Sequence, residues 1–243
     1  MVGIENVLPT VQSMLGNNRI RPLLISGDNG SGKTTFMQLI ARSFICTNRT
    51  GIEACQACEN CQSPDIEFGG FHAMSSSGTD LSNRQIKCIN DNLYSVCMNR
   101  HFHVVIVDDF DHADASAFNK IIRLMNIYTE DLFIFTATKL GKLPPPLIQR
   151  CKHLTLNGYS PESLELLIRT VCKKENISID STLALGRLIE YTLRNPRSIL
   201  NALEAVKDNN LNLSEDVFDV PSVSTILRTL ENGQTCQIPT ETI

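Results

Sequence analysis

The stretch of sequence that decides the fold is PLLISGDNGSGKTTFMQLIARSFI, residues 22–45. Residues 22–26 form an apolar run that stops at a glycine, which predicts a short, buried β-strand. From residue 34 to residue 45 the apolar side chains recur every three or four positions, which predicts a helix. The intervening loop, residues 27–32, contains three glycines. The sequence therefore predicts a strand, a tight loop and a helix in succession.

The loop and the start of the helix, GDNGSGKT at residues 27–34, fit the pattern G-x-x-x-x-G-K-[ST]. Glycines let successive backbone N–H groups turn towards phosphate oxygens, and the N-terminus of the helix adds positive potential. Lys33 would reach the β- and γ-phosphates of ATP, and the Thr34 hydroxyl would bind Mg²⁺. A chance glycine turn is the alternative, but the flanking strand and helix favour a nucleotide site. The predicted ATP-binding residues are Gly27, Asp28, Asn29, Gly30, Ser31, Gly32, Lys33, Thr34 and Thr35.

A second strand ends in two carboxylates. Residues 104–107 are β-branched and apolar on both faces, which is typical of a central parallel strand, and Asp108 and Asp109 follow them. Asp108 would hold Mg²⁺, directly or through water, while Asp109 lies where many ATPases have a glutamate that orients the attacking water. Ordinary carboxylates at a strand end are the alternative, which an intact phosphate loop disfavours.

Strands and helices alternate through the first part of the chain. Besides the elements above, apolar patterns predict strands at 68–74, 131–138 and 152–156 and helices at 1–20, 82–97 and 115–127. This alternation is typical of an α/β domain with a doubly wound parallel sheet.

The pattern changes near Gly158. Ser160 and Pro161 suit the N-cap and the first position of a helix, and helical periodicity continues to residue 208. A further helical candidate, 221–230, lies in an acidic and polar C-terminal stretch. The predicted domains are a nucleotide-binding domain at 1–157 with an insert at 46–64, a small helical domain at 158–210, and a tail at 211–243.

Four cysteines lie within sixteen residues, with the spacing C-x8-C-x2-C-x2-C. Each C-x2-C step brings two thiolates close enough to share a tetrahedral zinc ion at a Zn–S distance of about 2.3 Å. The surrounding segment is polar and has little to form a core, so a structural metal would supply the stabilisation that it lacks. The predicted zinc ligands are Cys46, Cys55, Cys58 and Cys61.

Two other interpretations of these cysteines stay open. An iron–sulfur cluster is one, because C-x2-C-x2-C opens a bacterial ferredoxin run, but the fourth position of that run is Asp65 rather than cysteine. Disulfides are the other, and a reducing compartment disfavours them. Helical patterns predict that Cys88, Cys97 and Cys172 are core residues. No ligand spacing connects the histidines, which are His72, His101, His103, His112 and His153.

Composition excludes several classes of function. With 22 Lys and Arg against 26 Asp and Glu the net charge is −4, whereas a free-standing DNA binder is usually strongly basic. No apolar run approaches the roughly 18 residues that a membrane span needs, and the N-terminus lacks the pattern of a signal peptide. The sequence therefore predicts a cytoplasmic protein without a membrane partner, in which any DNA contact comes from a local patch or an assembly.

Together these segments resemble a family: the AAA+ ATPase subunits of bacterial sliding-clamp loaders, the gamma and tau subunits of DNA polymerase III. The four-cysteine insert follows the helix after the phosphate loop, as in that family, and the resemblance runs collinearly from about residue 2 to residue 206. Further strings that match are VGIENVL at 2–8 (VGQ…VL in the family), FNK at 118–120 (FNALLK), FIFTAT at 133–138 (FILATT), LP…QRC at 143–151 (KLP…SRC) and NPR at 195–197 (G-S-x-R).

The resemblance implies roles for further residues. Thr138 would be the sensor-1 residue that reads the γ-phosphate, and Arg197 the sensor-2 arginine of a helical lid. Arg150 would be an arginine finger that reaches the ATP of a neighbouring subunit, which can be worth ~10³–10⁵ in rate. A helix bearing Arg84 and Lys87 would face the DNA channel. The catalytic set that follows is Lys33, Asp108, Asp109, Thr138, Arg150 and Arg197.

The chain also departs from the family pattern. Asp109 replaces a glutamate and so shortens the reach to water by one methylene, which predicts slow or absent hydrolysis. Gln149 replaces the serine of the SRC string. Little sequence follows the lid, so the collar that holds loader subunits together is expected to be absent or reduced to a remnant within 211–243. A compact or divergent homologue, bacterial or encoded by a phage or mobile element, is the resulting expectation.

Two functions of different classes follow. The first is an ATP-hydrolysing subunit that works with other clamp-loader subunits to open a sliding clamp and load it on primed DNA. The second is a nonhydrolysing structural subunit, like the family's delta-prime stator, which offers Arg150 to a neighbour. A helicase-loader role is a third possibility, and the four-cysteine insert argues against it.

Overall fold

The computed structural model describes Ile4 and residues 6–16, 21–62, 73–94, 103–156 and 158–214 of the 243-residue chain. The chain divides into two compact units: the first unit spans residues 4–156, and the second unit begins at residue 157. Within the described ranges, no helix has both the length and the apolar character that a membrane crossing requires.

A five-stranded sheet forms the centre of the first unit, and its strands all run parallel in the order β2-β3-β4-β1-β5. Its strands are β1 (Leu23–Ser26), β2 (Ala73–Ser77), β3 (Val104–Asp108), β4 (Leu132–Ala137) and β5 (Lys152–Thr155). The prediction of an α/β domain with a parallel sheet is therefore confirmed.

Helices cover both faces of this sheet. The helices described in this unit are α1 (Leu8–Gly16), α2 (Lys33–Ile45), α3 (Glu59–Gln62), α4 (Asn83–Tyr94), α5 (Ala115–Ile127) and α6 (Pro145–Arg150), of which α3 is a short helix that contacts α2. Successive strand residues point to opposite faces, so Val104 and Ile106 belong to the cluster with α1 and α2, and Val105 and Val107 to the cluster with α4 and α5. Because both faces are buried, the central strands are mostly apolar.

The strand order decides where loops meet. In a parallel sheet the carboxyl ends of all strands lie at one edge, and here β4 lies between β1 and β3. The loops that follow these three strands are therefore neighbours at the carboxyl edge. A crevice at such a point, where the strand order reverses, is the usual ligand position in open α/β sheets.

The second unit is helical in its described part. It contains α7 (Pro161–Glu175), α8 (Thr182–Tyr191) and α9 (Pro196–Asp208). Ser160 caps α7 by accepting the Ser163 N–H at 3.2 Å, and Asn195 caps α9 by accepting the N–H groups of Arg197 and Ser198. Their apolar faces meet in a separate core that includes Leu164, Ile168, Leu188, Ile199 and Leu203.

Some sequence predictions differ from the structure. The strand predicted at 68–74 coincides with β2 at residues 73 and 74 and continues through three serines to residue 77, while residues 68–72 lie outside the described residues. The prediction that Cys88 is a core residue is wrong: α4 buries residues 86, 89 and 93, which leaves position 88 on its exposed face. The first helix begins at Leu8, later than predicted, and Cys172 is buried as expected.

Other predictions fall outside the described residues. They are Cys97, His72, His101, and the helical candidate at 221–230.

The cap of α7 generates a test of the second unit. Ser160→Ala removes the side-chain oxygen that satisfies a helix N–H, so we expect the free energy of unfolding to fall by about 1 kcal/mol in urea denaturation. Ser160→Asp keeps an acceptor at the cap and should retain most of the wild-type stability. An alanine variant as stable as the wild type would show that this cap contributes nothing.

Candidate nucleotide site and cysteine cluster

The phosphate loop joins the end of β1 to the start of α2. Gly30 and Gly32 have φ angles of 80° and 81°, in the left-handed region that disfavours other residues. The Ser31 N–H donates to the Asp28 carbonyl oxygen at 3.2 Å, which closes a turn inside the loop. Because α2 begins at Lys33, its unpaired N-terminal N–H groups open onto this loop, as an anion site requires.

Lys33 lies inside the loop and is 6% exposed. Its Nζ donates to the carbonyl oxygens of Gly27 and Asp28 at 2.9 and 3.0 Å. Burial lowers the pKa of Lys33, and nearby carboxylates, of which Asp109 acts most strongly, oppose this shift. Two backbone carbonyls thus hold the ammonium group where phosphate oxygens could replace them.

Thr34 and Asp108 meet across the carboxyl edge of the sheet. The Thr34 hydroxyl donates to Asp108 Oδ2 at 2.8 Å, although the residues come from the loop after β1 and the end of β3. Mg²⁺ prefers hard oxygen ligands and is usually held by one or two protein oxygens beside phosphates. A hydroxyl and a carboxylate oxygen this close together fit such an ion.

Asp109 has an unusual backbone conformation, with φ of 47°. Its N–H donates to Thr136 Oγ1 at 2.8 Å and to Asp108 Oδ1 at 3.2 Å. The backbone of Gly78 approaches it so closely that a Cβ there would lie 2.2 Å from the Asp109 carbonyl oxygen. These contacts hold the backbone of Asp109 in place and thereby orient its side chain.

Thr138 reaches the phosphate loop from the end of β4. Its hydroxyl donates to Asn29 Oδ1 at 3.1 Å. The buried carboxylate of Asp111 accepts the N–H groups of Thr138 and Lys139 at 3.2 and 3.0 Å, which ties this loop to the one after β3. The predicted site residues that the structure gathers at this edge are Asn29, Lys33, Thr34, Asp108, Asp109 and Thr138.

The sequence interpretation missed Thr136 and Asp111. Thr136 is a fully buried residue with a hydroxyl in a strand that is otherwise apolar. A single polar residue in an apolar strand was the sequence feature that could have indicated its role. Asp111 is the third carboxylate of the run Asp108-Asp109-Phe110-Asp111, in which only the first two were considered.

Arg150 lies at the end of the sheet where the strands begin, opposite the carboxyl edge that carries the phosphate loop. It ends α6, and Lys152 two residues later pairs with Leu23 at the start of β1. Its guanidinium donates to Asn126 Oδ1 and lines a cavity of about 260 Å³ with residues that include Pro22 and Asp131. Since the four residues of β1 span about 13 Å, the structure does not bring Arg150 to its own phosphate loop.

Arg197 belongs to the second unit, where it is the second residue of α9. Its N–H donates to Asn195 Oδ1 at 3.0 Å.

The four predicted metal ligands form a cluster directly after α2. Their sulfur atoms all lie within 4.8 Å of one another, and the pairs Cys55–Cys61 and Cys46–Cys58 are each 4.0 Å apart. Four thiolates at the corners of a tetrahedron around zinc would be about 3.8 Å apart, given a Zn–S bond of about 2.3 Å. The cluster therefore fits a closed tetrahedral zinc site.

Backbone hydrogen bonds to sulfur favour the ionised form that binds metal. The Cys55 N–H donates to Cys46 Sγ and the Cys58 N–H to Cys55 Sγ, each at 3.2 Å. Donation from the backbone of Ala57 and Cys58 lowers the pKa of the Cys55 thiol. The pKa of the Cys58 thiol is likewise lowered, to about 5, whereas burial raises the pKa of the Cys61 thiol to about 12. Without a metal, the cluster therefore favours thiolate at Cys55 and Cys58 and thiol at Cys61.

A family model described as DNA polymerase III, delta subunit, matches residues 3–160. The chain belongs to this family. The resemblance to clamp-loader subunits that the sequence motifs indicated is thereby confirmed.

Individual relatives agree with this assignment. DNA polymerase III subunit gamma of Buchnera aphidicola subsp. Schizaphis graminum is 29% identical over 209 residues, which cover 82% of this chain and 56% of the relative. DNA polymerase III subunit tau of Escherichia coli K12 is 27% identical over 244 residues, which cover 96% of this chain and 36% of the relative. The chain thus spans about half or less of the length of these relatives.

A solved structure shows the same fold. A RuvB variant from Thermotoga maritima superposes with a TM-score of 0.66 at 16% identity, over 94% of this chain and 70% of that one. At this identity the likeness concerns the fold alone. The shared architecture is an α/β fold with a parallel sheet.

Proposed function

We propose that this chain is an ATP-binding subunit of a sliding-clamp loader in DNA replication, which uses ATP binding and hydrolysis to open a clamp and load it on primed DNA. The observation that carries the proposal is the contact between the phosphate loop and the end of β3, where Thr34 Oγ1 lies 2.8 Å from Asp108 Oδ2. Membership of the DNA polymerase III delta subunit family supports a place in replication, beside other loader subunits.

ATP phosphates would occupy the space in front of α2. Lys33 would exchange its two carbonyl partners for β- and γ-phosphate oxygens, and the N–H groups of the loop would surround the same anion. Thr34 and Asp108 would hold Mg²⁺, which neutralises charge on the phosphates. Thr138 would contact the γ-phosphate through its hydroxyl, which now donates to Asn29.

Hydrolysis would depend on Asp109. This carboxylate acts on Lys33 more strongly than any other, which supports a position beside the phosphates. As the group that orients water it is one methylene shorter than glutamate, so turnover should be slow. A nonhydrolysing structural subunit is therefore the second candidate, and Asp109 is the observation that favours it.

Arg150 would act on a neighbouring subunit. It lies at the amino edge of the sheet, while the phosphate loop lies at the carboxyl edge. An arginine that cannot reach its own ATP can still complete the site of an adjacent subunit, where it would stabilise charge in the transition state. Arg197 would respond to ATP from the helical lid.

The cysteine cluster would bind zinc in a structural role. Four sulfur ligands close the coordination shell and leave no open position for substrate. The ion would stabilise the insert that follows α2.

Primed DNA would meet a basic groove between α4 and α5. Lys87, Lys120 and Arg123 line this groove of about 380 Å³, and its other lining residues are polar or apolar: Asn83, Ile86, Asn90, Leu124 and Ile127. Clustered cations release counterions when they bind phosphate, so this patch could contact DNA despite the net charge of −4. Arg84 lies on α4, the helix that carries Lys87.

Removal of the loop cation tests the ATP site. Lys33→Ala should weaken ATP binding about 100-fold in calorimetry, because a charge-assisted contact to the phosphates is lost. Asp108→Asn should preserve more of the binding and impair Mg²⁺-dependent turnover. Lys152→Ala removes an exposed lysine at the start of β5, at the opposite end of the strands, and should bind ATP like the wild type. Wild-type affinity in Lys33→Ala would show that the assigned site is wrong.

A mixing experiment tests the action of Arg150 in trans. Arg150→Ala should leave the ATP affinity of the isolated subunit unchanged and lower turnover by about 10³-fold or more in the assembled complex. Mixed assemblies of Arg150→Ala and Lys33→Ala subunits should recover part of the turnover, wherever an intact loop meets an intact arginine. If Arg150→Ala weakens binding by the monomer as much as Lys33→Ala does, the arginine acts in cis.

Metal analysis tests the zinc site. Wild-type protein should contain about one equivalent of zinc, and Cys58→Ser should lower both the zinc content and the melting temperature, because one of four ligands is lost. ATP binding should persist. Cys88→Ser changes an exposed cysteine outside the cluster and should alter neither the zinc content nor the melting temperature. Less than about half an equivalent of zinc in intact wild-type protein would contradict a zinc site.

A further inference from the structure

We propose that Thr136 is a positioning residue whose hydroxyl sets the orientation of both carboxylates at the end of β3 and thereby the affinity of the site for Mg²⁺. The inference rests on the proposed ATP site, to which it adds a residue that touches neither nucleotide nor metal.

Thr136 lies in β4, next to the end of β3. The register pairs Val107 with Phe135, so the residues that follow them, Asp108 and Thr136, are neighbours across the ladder. The Thr136 side chain is completely buried. Its hydroxyl donates to Asp108 Oδ1 and accepts the Asp109 N–H at 2.8 Å. A hydroxyl has one proton and two lone pairs, so it can make both contacts at once.

These contacts divide the two oxygens of Asp108 between different partners. Oδ1 is held by Thr136 inside the protein, which leaves Oδ2 facing the Thr34 hydroxyl at 2.8 Å. Oδ2 and the Thr34 oxygen are the two protein atoms that the proposed Mg²⁺ ion would use. Without the Thr136 hydroxyl, Oδ1 would lose this partner and the carboxylate could turn about its side-chain bond.

The same hydroxyl fixes the next residue. Asp109 adopts a left-handed backbone conformation that costs energy in a residue with a Cβ. Its N–H is satisfied by Thr136 and Asp108, and the close approach of Gly78 limits movement of its carbonyl. Loss of the hydroxyl would therefore loosen Asp109 as well as Asp108.

The effect on metal affinity should exceed the effect on nucleotide affinity. Groups that hold a metal ligand in place, without touching the metal, typically change metal affinity by about 10- to 100-fold. Thr136 contacts Asp108 and Asp109 but makes no hydrogen bond to the phosphate loop among the described residues. Nucleotide binding in the absence of Mg²⁺ should thus be independent of the hydroxyl.

The experiment compares Thr136→Val, which keeps the shape and loses the hydroxyl, with Thr136→Ser, which keeps the hydroxyl. The affinity for a fluorescent ATP analogue is measured in EDTA and across a Mg²⁺ titration. We expect Thr136→Val to raise the half-maximal Mg²⁺ concentration about tenfold and to leave affinity in EDTA unchanged. Thr136→Ser should follow the wild-type titration. Amide hydrogen exchange at Asp109, measured without nucleotide, should be faster in the valine variant only.

A matched control separates positioning from stability. Thr192 is another buried threonine, whose hydroxyl donates to the Leu188 carbonyl oxygen at 2.6 Å in the second unit. Thr192→Val should lower the melting temperature without any change in the Mg²⁺ titration. If Thr136→Val does not fold, Thr136→Ala is measured instead. Alanine also lacks the hydroxyl but puts no methyl group in its place.

Three results would overturn the positioning role. They are a wild-type Mg²⁺ titration in the valine or alanine variant, equal behaviour of the valine and serine variants, and an equal loss of affinity with and without Mg²⁺. The wild-type protein distinguishes these from a failure of the proposed function. If the wild type itself showed no Mg²⁺-dependent binding of nucleotide, the ATP site would be refuted, and the role of Thr136 with it.

Discussion

The site depends on the order of the parallel strands in the sheet. Because β4 lies between β3 and β1, the three loops that carry chemistry meet at one carboxyl edge. Hydrogen bonds between side chains then join the loops in pairs, Thr34 to Asp108 and Thr138 to Asn29. Asp111 adds bonds to the backbone of the loop after β4. The proposed nucleotide site thus depends on the order of the strands as well as on its individual residues.

The same topology keeps other predicted site residues of the first unit away from the phosphate loop. Arg150 lies at the amino edge, beside the start of β1 and away from the loop that would hold ATP. The cysteine cluster follows α2, and its four sulfur atoms lie within 4.8 Å of one another. In the proposed assembly, Arg150 would therefore serve the ATP site of an adjacent subunit rather than its own.

Much of this arrangement could be predicted from the sequence. The glycine loop, the apolar strand before Asp108 and the cysteine spacing each carry local signals, because phosphate binding, burial on two faces and metal coordination all constrain residue type at fixed intervals. The contacts of Thr136 could not be predicted, since they depend on which strand pairs with β3. The end of β2 at residues 75–77 was not predicted because serines carry no apolar pattern, and they form a strand here through their pairing with β3.

The most direct test of this account is calorimetric titration of ATP into the wild-type protein with and without Mg²⁺. The account predicts one ATP per chain, with a dissociation constant on the order of micromolar and a clear gain of affinity when Mg²⁺ is present. A chain that binds no ATP at millimolar concentration, or binds it with the same affinity in EDTA, would contradict the assignment of the loop and Asp108 as one site.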